Sequence, residues 1–233
     1  MKKTFLILLI LLSFISKSQS LDTIQQFNYK KHFELIVKES KKRGSNYLYE
    51  TQLQKYNNNE SQTNLEVLAL LIGFTESKNY DPYADIFLDK TIYDLNEEKK
   101  FDEAIAQGKA ILAQKPFIIP ILREMAYAYS QKGENEKAEQ YMIRTGKIYN
   151  AMFYSSKSTG ININEAMFAL GPKDGQYFIK YFIEAPLGDM GSGSDENGYF
   201  IDILSTTFKN KEAIFNFNID HAMKKMREKM KKK

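Results

Sequence analysis

The chain has 233 residues, of which 43% are hydrophobic and 27% charged, enough for one or two domains with a sizeable core. With 16 Phe and 15 Tyr but no Trp, that core is predicted to be aromatic. The absence of Cys excludes disulfides, thiolate metal sites and a lipid-bearing cysteine. A mean hydropathy of −0.46 argues against an integral membrane protein. The net charge of +4 is concentrated at the two ends, in Lys2, Lys3 and Lys17 and in the closing HAMKKMREKMKKK. The stretch between is mildly acidic, which argues against a nucleic-acid partner, since such a partner needs a basic face.

In chain order, MKKTFLILLILLSFISKSQS comes first. It joins basic Lys2 and Lys3 to an apolar run from Phe5 to Leu12, too short to cross a bilayer that needs ~20 helical residues. Small residues at Ser18 and Ser20 complete a secretory signal peptide. Cleavage is expected after Ser20, giving an exported protein, periplasmic or secreted, that is not a lipoprotein.

A helical region is expected over residues 21–155. Ala104 in FDEAIAQGKAILAQKP and Ala138 in NEKAEQYMIRTGKIYN lie 34 residues apart, the period of the tetratricopeptide repeat. In the second copy Leu122, Met125, Ala126 and Tyr129 share one helix face, Gly133 makes the turn, and Ala138, Met142 and Thr145 face back. The first copy sets Leu88, Ile92 and Leu95 against Phe101, Ala104 and Ile111, and departs from the repeat at Thr91 and Lys99. The apolar NLEVLALLIGF, ending at Phe74, supplies half of a third copy.

Beyond Tyr154 the pattern changes. INEAMFAL is compatible with a buried strand, and QYFIKYF is read as a short helix behind Pro172. GYFIDIL and EAIFNFNI alternate as strands. The expected fold class is therefore α+β: a mainly helical N-terminal region of tetratricopeptide-like hairpins, then a small α+β unit over 156–220 with an antiparallel sheet, then a basic tail over 221–233. Met223, Met226 and Met230 give that tail an amphipathic pattern suited to weak contact with an anionic membrane surface. Its shortness favours a solvated end instead.

YLYETQLQKY, IGFTESKNYDPY, the repeat, YNAMFYSS and IFNFNID together resemble an exported bacterial family, domain of unknown function 4919. The resemblance implies a helical N-terminal part and a β-containing C-terminal part, and transfers no catalytic residues.

Chemistry is sparsely signalled. His32 and His221 are far apart in sequence, with no HExxH and no GxSxG elbow. The run GDMGSGSDENG, Gly188 to Gly198, is expected to be a loop. Its Asp189, Ser194, Asp195, Glu196 and Asn197 offer oxygen ligands, which leaves a second reading as a calcium-dependent binding module or an envelope hydrolase. Asp189, Asp195 and Asp202 are also candidates for a carboxylate pair. The favoured expectation is a protein that is not an enzyme, needs no metal or cofactor, and binds a protein or peptide partner. The resemblance to the tetratricopeptide repeat implies the groove positions: Asp89, Tyr93 and Asn96 in the first copy, then Arg123, Tyr127 and Ser130 in the second.

Overall fold

The structure, a computed structural model, describes residue 21 and residues 24–208 and 211–231; the expected signal peptide and its cleavage point lie outside the described residues. Three helices lead the fold: α1 (Tyr29–Ser40), α2 (Tyr49–Asn57) and α3 (Asn64–Phe74). Asn28 starts α1 by accepting the Lys31 amide. Thr63 and Glu66 form a reciprocal capping box on α3, satisfying amides that a helix start leaves without partners. Every residue of α3 from Val67 to Phe74 is buried, as an all-round apolar helix requires.

Two helical hairpins follow, α4 (Leu88–Glu97) with α5 (Phe101–Leu112) and α6 (Ile119–Gln131) with α7 (Asn135–Tyr154). Their turns match. Lys99 has φ 58 and Gly133 φ 75, and the next residues, Lys100 and Glu134, both have φ −87, with ψ 57 and 59. The Lys100 amide donates to the Leu95 carbonyl at 2.8 Å and the Glu134 amide to the Tyr129 carbonyl at 2.9 Å, so each turn closes its helix with the same left-handed cap. Ala104 and Ala138 are both buried. Gly108 lets α5 approach α6 so closely that a Cβ there would meet the Met125 Sδ at 2.1 Å.

Leu122, Met125, Ala126, Tyr129 and Thr145 are buried as the pattern predicts, but Met142 is 43% exposed and takes no part in that packing face. α3 packs chiefly against α1, α2 and α7. Its uniformly apolar surface draws it into the main core rather than onto the outer end of the α4–α5 hairpin.

The C-terminal part comprises β1 (Met167–Phe168), α8 (Asp174–Tyr181), β2 (Leu187–Ser194), β3 (Phe200–Phe208), β4 (Lys211–Asn218) and α9 (Asp220–Met230). The sheet order is β1-β4-β3-β2. The class is α+β as expected and Gln176–Tyr181 is helical, but the sheet is mixed. β2, β3 and β4 run antiparallel, whereas β1 pairs parallel to β4 across the long connection that a parallel pair needs. Of INEAMFAL only the two residues of β1 are strand, and Ile163–Glu165 forms a 3-10 turn.

The core is aromatic, with Tyr56, Phe117, Phe168, Phe178 and Phe217 fully buried. One apolar cluster joins α1, α3 and α7 to the sheet and α8. A smaller one, around Ile92, Ala104, Met125 and Tyr129, joins the hairpins. Among the described residues no helix is long and apolar enough to cross a membrane.

The expectation of a solvated tail is overturned at its start. His221 and Ala222 are buried in the first turn of α9. The His221 ring stacks on Phe168 at 4.7 Å and lies 5.6 Å from Phe33, and its Nδ1 meets the Tyr29 hydroxyl at 3.3 Å. α1 and β1 thus clamp the beginning of the helix. Only its far end is open, with Met230 68% exposed and Lys229 paired with Asp81.

Candidate functional site: the inner face of the helical hairpins

Asp89, Tyr93 and Asn96 follow steps of four and three residues along α4, and Arg123, Tyr127 and Ser130 do the same along α6. Such spacing keeps each trio on one helix face. The structure divides these six residues into a covered end and an open end.

The covered end lies under α8. Lys173, the residue that caps this helix, donates to Asp89 Oδ1 at 2.8 Å and Oδ2 at 3.0 Å. Two helical turns further on, the Tyr181 ring lies 3.5 Å from the Arg123 guanidinium. Between them, burial and then the charge of Asp89 push the Tyr177 hydroxyl far above its ordinary range. Asp89 and Arg123 are therefore engaged within the chain itself. α8 is fixed here by its own first residue: Asp174 is buried and accepts the Gly171 amide at 2.9 Å, and burial pushes its carboxyl up to about 7. The Tyr80 hydroxyl donates to the adjoining Leu170 carbonyl at 2.6 Å. An apolar pocket lined by Tyr80, Pro82, Ile86, Phe117 and Pro172 abuts this corner.

The open end begins one turn further along both helices. Tyr93 and Tyr127 are 49% and 44% exposed, and Ser130 is exposed. Phe101 meets Tyr127 edge-on at 6.2 Å. Asn96 is buried and cannot touch a partner directly. Its Nδ2 instead donates to the Glu124 carbonyl at 3.1 Å and to Oε2 of the same residue at 2.8 Å, and its Oδ1 is left buried without a hydrogen-bond partner. Burial raises the Glu124 carboxyl above its ordinary value; Asp89 and Glu97 reinforce the rise, while the Asn96 hydrogen bond and Arg123 oppose it. Glu97 and Glu124 thus lie on the same two helices that carry the accessible Tyr93 and Tyr127 rings.

Sequence reasoning named these six residues, of which Asn96 is buried and Asp89 and Arg123 are engaged within the chain, but missed Lys173, Tyr177 and Tyr181, which cover one end, and Glu97 and Glu124, which add charge near the other. Their four-residue spacing marks Lys173, Tyr177 and Tyr181 as one helix face. Nothing local says what that face lies against.

The other candidates are dispersed. His32 accepts the Asn28 amide through Nδ1 at 3.0 Å, and His221 is enclosed in the core, where burial pulls its pKa down to about 3. Gly188 to Gly198 is mostly strand rather than loop, since β2 runs to Ser194. Asp195 Oδ1 accepts the Asn197 and Tyr199 amides at 2.8 and 2.9 Å, which commits it to the turn into β3. Asp189 and Glu196 are exposed, and burial pushes the Asp202 carboxyl on β3 up to about 6. Among the described residues no three His, Asp or Glu side chains are grouped so as to hold a metal ion.

A family model described as Domain of unknown function (DUF4919) matches residues 34–184. That span runs from within α1 to just past α8, so it includes both hairpins and the helix that covers them. No curated protein and no solved structure matches the chain.

Proposed function

The chain belongs to the DUF4919 family, and on that premise we propose that it is an exported, non-catalytic protein that binds a protein or peptide partner on the inner face of α4 and α6. The observation that carries this reading is the pair Tyr93 and Tyr127. They hold equivalent positions on adjacent inner helices, and each leaves nearly half of its surface in solvent. Tyrosine suits an interface because a rigid apolar ring and a hydroxyl come at low entropic cost.

The matched turns at Lys99 and Gly133 and the paired Ala104 and Ala138 support reading the hairpins as tetratricopeptide-like, and stacked hairpins of that kind present concave binding faces. Export rests on the signal pattern ending at Ser20, and the chain has no Cys to carry a cysteine-linked lipid. Nucleic acid has no part in this reading. The exposed basic end of α9 supplies at most weak contact with an anionic membrane surface.

The test is crosslinked capture from the cells that make the protein, comparing the mature chain with a Tyr93→Ala, Tyr127→Ala variant and with an Asp189→Ala, Asp195→Ala, Glu196→Ala variant. The tyrosine variant should lose the partner while keeping its circular dichroism spectrum, and the acidic-turn variant should keep the partner. The reverse pattern would move the binding surface to the β2–β3 hairpin.

A further inference from the structure

We infer that the open end of the inner face takes a cationic segment, a helix of a partner protein that sets a lysine or arginine against Glu97 and Glu124 between the rings of Tyr93 and Tyr127. The inference rests on the proposed binding face and names what that face recognises.

The chain carries its own template for the chemistry. At the covered end a helix already lies on the inner face, and its contacts are a lysine on an acid, Lys173 on Asp89, and an aromatic ring against a guanidinium, Tyr181 on Arg123. The open end repeats the acid and the aromatic rings, and Arg123, whose charge reaches Glu124, is itself engaged against the Tyr181 ring. Neighbouring acids are paired: Asp94 with Lys90, Glu98 with Lys100 and Asp102 with Lys132. Glu97 and Glu124 make no ion pair among the described residues.

Three further features favour a positive guest. Burial, with the charges of Asp89 and Glu97, disfavours the Glu124 carboxylate more than the Asn96 hydrogen bond and Arg123 favour it, so an added cation relieves a cost that the free protein carries. Asn96, 2% exposed, donates to Oε2 of that same carboxylate, which holds the acid in place for a guest. Tyr93 and Tyr127 present rings whose faces attract Lys and Arg. An anionic guest would meet the two acids, and a purely apolar one would leave them desolvated and unpaired.

The experiment uses the full mature chain and a short capped alanine-rich helical peptide carrying two lysines one turn apart, with the same peptide bearing glutamines or glutamates as controls. Titration should rank lysine over glutamine by about tenfold, as expected for one charge-assisted contact with cation–π support, and glutamate should bind weakest. The lysine preference should shrink with added salt and vanish in Glu97→Gln, Glu124→Gln protein whose melting temperature is unchanged. Glu97→Gln alone, at an exposed position, should remove part of the preference without any folding effect.

Equal binding of the lysine and glutamine peptides, or a preference that survives in the double variant, would overturn the inference. If the three peptides bind equally and Tyr93→Ala, Tyr127→Ala abolishes them all, the binding face stands and its cationic guest falls. If that tyrosine variant binds every peptide normally, both fall. Self-association of the wild-type chain that disappears in the Glu97→Gln, Glu124→Gln variant would put the basic α9 of a second copy in the groove and overturn the assignment to a foreign helix.

Discussion

Lys99 and Gly133 hold the same left-handed backbone conformation in the two hairpin turns, φ 58 and φ 75, although only one of them is glycine. A side chain in that region costs about 1–2 kcal/mol relative to glycine, and glycine gives back part of this through the entropy of the unfolded chain. Lys99→Gly should therefore stabilise the protein by about 0.5–1 kcal/mol in denaturant titration. Gly133→Ala should destabilise it by a similar amount. A destabilising Lys99→Gly, or a Gly133→Ala that costs nothing, would show that the turns are not equivalent.

The approach of α5 to α6 depends on a missing side chain. A Cβ at Gly108 would collide with Met125, which is itself fully buried, so Gly108→Ala should cost about 1–3 kcal/mol by overpacking. Shortening the obstacle should relieve it: in a Met125→Ala background the same Gly108 substitution should cost less, a coupling that a double-mutant cycle measures. Ala138→Leu should fall in the same 1–3 kcal/mol range, read as a lower melting temperature.

Truncation separates the two ends of α9. A stop after Arg227 removes the Lys229–Asp81 pair and exposed residues, and should cost less than about 1 kcal/mol. A stop after Asp220 removes His221 from the stack on Phe168 and uncovers Tyr29 and Phe33. The expected loss is about 3 kcal/mol or more, the scale of deleting a buried aromatic side chain.

Two buried groups tilt stability with pH in opposite directions. Asp174 is held up to about 7 by burial, so its favourable contribution is fully present below the unfolded value of about 3.9 and is lost as pH rises to about 7. His221 is held down to about 3, again by burial first. Its contribution is complete above the unfolded value of about 6.5 and is lost as pH falls toward 3. Relative to Asp174→Asn, whose amide oxygen can still accept from Gly171, the wild-type melting temperature should decline from pH 4 to 7 and then level off. Relative to His221→Phe it should instead fall as pH is lowered from 6.5.

Much of this architecture was legible because it is periodic. Leu122, Met125, Ala126 and Tyr129 announce the α6 face through spacing alone, and Phe178 with Tyr181 marked α8. What escaped has no periodicity to read. β2 is glycine-rich and exposed along almost its whole length, so neither alternation nor apolar content distinguishes it from a loop. β1 is two residues long, and its parallel partner lies far along the chain. His221 opens a run of lysines and looks solvated, yet α1 and β1 enclose it. The shared helix faces of Asp89, Tyr93 and Asn96 and of Arg123, Tyr127 and Ser130 follow from spacing, but their division into covered and open ends depends on where α8 docks, and that is a property of the assembled core.

The contact between Tyr29 and His221 joins residues separated by 192 positions. Closing so large a loop is entropically costly and is repaid only once both ends are in place. The first helix therefore waits for the last to complete its packing, and the main core stays unfinished until the C-terminal segment is available.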